Sequence, residues 1–195
     1  MTEKARIAVL VSGGGTNLQA LLDAQQTGIL HSGEIVLVVS NNSKAYALER
    51  AANYAVATAV CKGPTFEADL RVLLKEYRID LIILAGFMRI LSEDFTSEWP
   101  NRILNVHPSL IPAFCGKGYY GLRVHEEALR RGVKVTGATV HFVNEIPDGG
   151  EIILQKAVEV LPGDTPETLQ RRVMEQAEWI LLPQAAELVS KGVKA

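Results

Sequence analysis

The sequence predicts an α/β fold of the Rossmann-like, doubly wound kind, with a mostly parallel sheet, an antiparallel C-terminal hairpin and a C-terminal helix. Three observations predict it. Apolar runs of strand length recur up to residue 107, helical patterns alternate with them, and the first run ends in a glycine turn that opens a helix.

Residues 6–12 (Arg-Ile-Ala-Val-Leu-Val-Ser) form a near-continuous apolar run, the pattern of a parallel strand covered on both faces. Gly13, Gly14, Gly15, Thr16 and Asn17 follow, and then Leu18, Ala20, Leu21, Leu22 and Ala24 recur at helical spacing. A helix N-terminus leaves backbone N–H groups unpaired and glycines let an anion approach them, so this turn suits a phosphate. It is not a dinucleotide fingerprint, because the third glycine of G-x-G-x-x-G would fall at Leu18. It also lacks the Gly-Lys-Ser/Thr of a P-loop. A mononucleotide phosphate fits the turn, and so does a tight turn without a ligand.

The second strand is expected over residues 34–40, a helix over 45–54, a short third strand over 57–61 and a helix over 66–78 with Leu70, Leu73, Leu74 and Tyr77 facing inward. The fourth strand, 81–85, runs into Gly86-Phe87-Met88-Arg89-Ile90-Leu91, a Gly-led apolar loop that either closes the core or walls a flat ligand. Ser92 caps a short helix to Trp99. The fifth strand, 103–107, ends at His107-Pro108, where proline bars continuation. Residues i and i+2 of a strand project from one face, so Asn105 and His107 point together, an amide donor beside an imidazole. The same pair could equally be a satisfied polar pair at a strand terminus.

A loop over 108–120 leads to a helix over 121–131 that carries His125, with Gly132 as its stop. His125 is expected to be a packed or solvated helix residue, and His31 has no expected role. Strands over 135–142 and 152–160 flank a segment containing Pro147, Asp148, Gly149 and Gly150, the composition of a hairpin turn, which on its own makes Asp148 a turn residue. Thr165-Pro166-Glu167 opens one last helix, expected to run to Ser190 with a bend before Pro183.

At 195 residues, with 48% apolar and 22% charged composition, the chain is expected to form a single domain over 1–195. The net charge of −2 offers no general footprint for nucleic acid or anionic membrane, which favours a small partner. Neither a membrane span nor a signal-peptide core is evident, and residues 1–6 lead straight into a strand, so the expected location is cytoplasmic. Cys61 and Cys115 lack CxxC spacing, so a zinc site or disulfide framework is not expected. Oligomeric state, monomer or homodimer, is open.

The four motifs at 13–17, 85–91, 105–112 and 148–150 stand in one order along nearly the whole chain. Together they make the sequence similar to the phosphoribosylglycinamide formyltransferases, the folate-dependent transformylases of purine synthesis. That resemblance implies formyl transfer from 10-formyltetrahydrofolate, as co-substrate, to the amine of glycinamide ribonucleotide, with no metal. It places the catalytic set on Asn105, His107 and Asp148, and the roles expected are Asn105 and a protonated His107 as donors that hold the tetrahedral intermediate, with Asp148 relaying the proton. It assigns the ribonucleotide to Gly13, Gly14, Gly15, Thr16, Asn17, Gly86 and Glu178. It gives the folate wall to Met88, Arg89, Ile90 and Leu91 with Val143, Asn144 and Glu145, and supporting positions to Ser109, Thr139 and His141.

The sequence departs from the familiar pattern in a longer loop over 114–124, in Glu178-Trp179 where Glu-His is common, and in one extra residue in the helix over 173–183. Related formyltetrahydrofolate hydrolases carry an additional N-terminal domain, and with so few residues before the first strand that class is not expected. Methionyl-tRNA formyltransferases need a second, RNA-binding domain and a basic surface. A protein that binds the mononucleotide or the folate without turnover is the alternative of another class.

Overall fold

The computed structural model describes residues 3–193; Met1 and Thr2, part of the expected leaderless start, and the last two residues of the expected domain lie outside the described residues. Seven strands form one sheet in the order β3-β2-β1-β4-β5-β6-β7. They are β1 (Ala5–Val11), β2 (Gly33–Ser40), β3 (Ala57–Val60), β4 (Leu81–Leu84), β5 (Ile103–His107), β6 (Val135–Phe142) and β7 (Ile152–Glu159). The first five pair in parallel, whereas β6 pairs antiparallel with β5 and β7 antiparallel with β6.

The helices are α1 (Thr16–Thr27), α2 (Tyr46–Asn53), α3 (Phe66–Glu76), α4 (Glu93–Ser97), α5 (Leu122–Arg131), α6 (Pro166–Val173) and α7 (Trp179–Val193). Alternate residues of the central strands serve opposite faces, as a period of two requires. Ile7, Val9, Val11, Leu81, Ile83, Leu104 and Val106 pack with α1, α2, α5, α6 and α7. Ala8, Leu10, Ile82, Leu84 and Ile103 pack with α3 and α4 through Phe66, Leu70, Leu74 and Phe95. Both faces are covered, which is why these strands read as unbroken apolar runs rather than as alternating ones.

One expectation is corrected. The last helix is not continuous, because a π-helical turn over Met174–Glu178 separates α6 from α7. A π-turn accommodates about one more residue per turn than an α-helix, and this one lies within the stretch where the sequence has an extra residue. Thr165 does cap α6, accepting from the Thr168 N–H in a capping box, with Pro166 in the first turn. The β6–β7 link is a nine-residue connection over 143–151, as the expected strand bounds imply. Within it Asp148 takes a left-handed conformation, φ 56°.

The strand order reverses between β1 and β4. In an open α/β sheet such a switch point opens a crevice at the carboxyl ends of the strands. The loops leaving these two strands are joined there, the Met88 N–H donating to Ser12 Oγ at 2.8 Å.

Candidate active site

The glycine turn forms because α2 presses against it. Gly15 caps α1 with φ 73°, and a Cβ at this position would lie 2.6 Å from the Ala47 Cβ. The Ala47 N–H donates to the Gly13 carbonyl at 3.1 Å, and Arg50 Nε–H donates to the Gly14 carbonyl at 2.8 Å. Both carbonyls are thus held towards α2. The first turn of α1 has no side-chain cap, and nothing lies within 4 Å of where Cβ atoms on Gly13 and Gly14 would stand. Uncapped N–H groups beside open space suit an anion.

Beneath this turn Asn17 Nδ2 donates to Glu178 Oε2 at 2.8 Å. The π-turn delivers Glu178 to this point, where it is only 6% exposed. Burial pushes its carboxyl up to about 7, and the bond from Asn17 opposes that rise. Asn17 Oδ1 is buried without a partner among the described residues.

The chain reversal into β6 builds the second half of the site. Register places Asn105 opposite His141 and His107 opposite Thr139. Asn105 Nδ2 lies 3.2 Å from His141 Nε2, and His141 Nδ1 lies 2.7 Å from the Phe142 carbonyl. A carbonyl can only accept, so His141 carries its proton on Nδ1 and its Nε2 accepts from the Asn105 amide. By the same logic His107 carries its proton on Nε2, which donates to the Phe114 carbonyl at 2.8 Å.

Asp148, read from composition as a turn residue, folds inward. Its Oδ2 lies 3.5 Å from His107 Nδ1 and accepts the Gly116 N–H at 2.8 Å, and its Oδ1 lies 3.5 Å from His141 Nε2. Burial lowers the pKa of His107, against opposing pulls from Asp148 and the Phe114 carbonyl. Burial raises that of Asp148, but the rings of His141 and His107, when protonated towards it, and the Gly116 N–H outweigh it and leave the carboxyl below its usual range. The unliganded site therefore holds an ionised Asp148 beside a neutral His107. The 3.5 Å gap to the unprotonated Nδ1 is what that pairing requires, since neither atom can donate to the other.

These groups stand at the head of a cavity of about 490 Å³. Gly86, Met88, Arg89, Ile90 and Leu91 line one wall, and Val143, Asn144 and Glu145 line another. The volume is that of a small-molecule site. Phe87 stacks on Phe66 at 5.5 Å, while the Arg89 guanidinium covers Phe66 at 4.6 Å and donates to the Gly63 carbonyl. Leu91 is buried in the core and Ile90 is 75% exposed, so the loop anchors through one residue and offers the other. The longer loop closes a third side with Lys117, Tyr119 and Tyr120.

Ser109 and Thr139 do not line the cavity; they hold the loop that follows β5, with Thr139 Oγ1 donating to the Ser109 carbonyl at 2.7 Å. His125 is packed rather than solvated, and both its ring nitrogens lack partners among the described residues. Burial, and then His107, push its pKa down to about 4. Sequence reasoning missed Arg50 and Gln155, and also the Phe114 carbonyl and Gly116 amide, which no side-chain pattern encodes. The one available signal was a long polar side chain in the middle of each element.

The formyl transferase family model matches residues 5–185. A human trifunctional purine biosynthetic protein adenosine-3 is 44% identical over 196 residues, spanning 97% of this chain and 19% of the relative, so the chain corresponds to about a fifth of that protein's length. The phosphoribosylglycinamide formyltransferase of Haemophilus influenzae is 39% identical over 193 residues, spanning 96% of this chain and 88% of the relative. The crystal structure of glycinamide ribonucleotide transformylase 1 from Symbiobacterium toebii superposes with a TM-score of 0.89 at 45% identity, covering 97% of this chain and 89% of that one. On these matches the chain belongs to the phosphoribosylglycinamide formyltransferase family of formyl transferases.

Proposed function

We propose that the protein transfers the formyl group of 10-formyltetrahydrofolate to the amine of 5'-phosphoribosylglycinamide in de novo purine biosynthesis, as one cytoplasmic formyltransferase domain over 1–195. The observation that carries this reading is the convergence of Asn105, His107 and Asp148 at the head of one cavity. The uncapped glycine turn at the neighbouring strand end supports it, because it gives the ribonucleotide phosphate a seat.

Attack of the neutral amine on the formyl carbon creates an oxyanion and an ammonium together. The second N–H of the Asn105 amide, left over from its bond to His141, donates to the oxyanion. Asp148 attracts the ammonium proton, and His107 Nδ1 beside it is the receiving atom that can pass the proton on to the folate N10 as the C–N10 bond breaks. A protonated Nδ1 is paired with Asp148, so the carboxylate stabilises the imidazolium while the intermediate lasts. Glu178 and Asn17 lie beside the phosphate seat, where they would hold the ribose hydroxyls.

The test is an absorbance assay with 10-formyltetrahydrofolate in the presence and absence of the ribonucleotide. Turnover that needs the ribonucleotide is expected; cofactor loss without it would indicate a hydrolase, and binding without turnover a non-catalytic protein. His107→Ala and Asp148→Asn should each lower kcat by about 100-fold to 1000-fold, with ribonucleotide affinity by calorimetry changed far less. Equal losses in affinity and turnover would move these residues from chemistry to binding.

A further inference from the structure

The loop between β5 and α5 touches both ionisable catalytic candidates, and it does so with backbone atoms alone. The Phe114 carbonyl accepts from His107 Nε2, and the Gly116 N–H donates to Asp148 Oδ2, each at 2.8 Å. Backbone atoms go where the loop goes, so whatever fixes the loop also fixes which His107 nitrogen carries the proton and where the carboxylate points. Phe114 sits at φ 50°, a left-handed conformation that a side chain disfavours, so the loop takes a path there that its own conformational preference does not select.

The loop is fixed from the sheet. The Ile111 N–H donates to Thr139 Oγ1 at 3.1 Å, and that hydroxyl donates to the Ser109 carbonyl at 2.7 Å. Gln155 Nε2 on β7 donates to the same hydroxyl and to the Ile111 carbonyl, both at 3.0 Å. Thr139 Oγ1 thus accepts twice and donates once, the full capacity of a hydroxyl. The Ser109 hydroxyl completes the hold by donating to the Ala113 carbonyl at 2.5 Å.

Register makes this a single row, with His107 opposite Thr139 on β6 and Thr139 opposite Gln155 on β7. Gln155 is exposed on the edge strand and contributes to neither hydrophobic core. An exposed side chain that spends both amide hydrogens on one loop and its anchor has a positioning duty rather than a packing one.

We propose that Gln155 is a positioning residue of the active site, clamping Ile111 and Thr139 so that the Phe114 carbonyl holds the proton on His107 Nε2 and the Gly116 amide aims Asp148. This rests on the formyl-transfer reading for its effect on rate, but not for its effect on the imidazole. The groups facing His107 are Asp148 and His141 beside it, His125 on α5 and the Phe114 carbonyl. Asp148 and the Phe114 carbonyl favour the charged ring, while burial and His141 oppose it. Loosening the loop removes one of the two supports, so His107 titrates at lower pH.

The experiment compares wild type with Gln155→Met, which fills similar volume and donates nothing. Two readouts are used: long-range proton–nitrogen spectra of the histidine rings in the ligand-free protein, and steady-state kinetics with both substrates. The expected result is a His107 tautomer shared between Nε2 and Nδ1, a titration moved to lower pH, and kcat lowered about 10-fold to 100-fold with both KM values within about 2-fold. A Gln155→Met protein with the wild-type tautomer and titration overturns the proposal, whatever its rate. So does a fall in kcat matched by an equal loss of folded protein in urea titrations, which would make Gln155 structural. No formyl transfer by wild-type protein, together with the tautomer change in Gln155→Met, would defeat the functional reading and leave the positioning role standing.

Discussion

Glu178 is held where a carboxylate is least comfortable, with the Asn17 amide donating to it and 6% of its surface exposed. Its pKa rises from an ordinary 4.5 to about 7 on folding. The folded state then binds the proton more tightly than the unfolded chain does, so stability from this group is full below about pH 4.5 and is lost as pH rises through about 7. At pH 8 the loss amounts to about 3 kcal/mol. Glu178→Gln keeps an acceptor for Asn17 and removes the titration. Urea unfolding should therefore show the variant more stable than wild type by up to about 3 kcal/mol at pH 8, with the gap closing towards pH 5. The same variant should bind the ribonucleotide at least about 10-fold more weakly, since a charge-assisted bond becomes a neutral one. A stability difference that ignores pH would show that burial is not what sets this group's proton affinity. Glu178 was legible in the sequence only through resemblance. Asn105 and His107 were legible physically, because their i, i+2 spacing before a proline fixes their common face. Asp148 was not, because Pro-Asp-Gly-Gly has the same composition whether the connection is a tight turn or a nine-residue loop folded inward.

Among the elements, α2 has a role that its amphipathic pattern does not disclose. Ala47 and Arg50 hold the carbonyls of Gly13 and Gly14, with the Arg50 guanidinium also bonded to Gln19 Oε1 and stacked over Tyr46 at 5.0 Å. Arg50→Met should free the glycine turn to sample other conformations. The KM for the ribonucleotide should rise about 10-fold, with kcat and the folate KM within about 3-fold, and binding of inorganic phosphate by calorimetry should weaken in parallel. Unchanged phosphate binding would show that the turn holds its shape without α2. The strands were readable from composition because burial on both faces demands unbroken apolar runs. The place and kind of the break between α6 and α7 were not, because Pro183 inside α7 signals an irregularity before it without specifying a π-turn over Met174–Glu178.

Across the whole molecule, alternation of strands and helices was enough to give the doubly wound class, whereas the strand order came from pairings over distances that no local pattern carries. Both halves of the site depend on that order. The glycine turn needs β1 beside β4, and the corner around His107 needs β5 beside β6. These two pairings differ greatly in reach along the chain. Ile7 must find Leu81 for the first, while His107 needs Thr139, and Ala138 needs Lys156, for the β5–β6–β7 end. Closing a longer loop is slower and entropically dearer, so the C-terminal antiparallel end should gather first during refolding and the β1–β4 crevice last. Pulse-labelling hydrogen exchange should find the amides of β6 and β7 protected before those of β1 and β4; the reverse order would show that the apolar runs of the central strands, not loop length, direct assembly. On this order, the chain acquires the corner proposed to handle the proton while the turn proposed to seat the ribonucleotide phosphate is still unformed, so on that reading substrate assists only the final stage of folding.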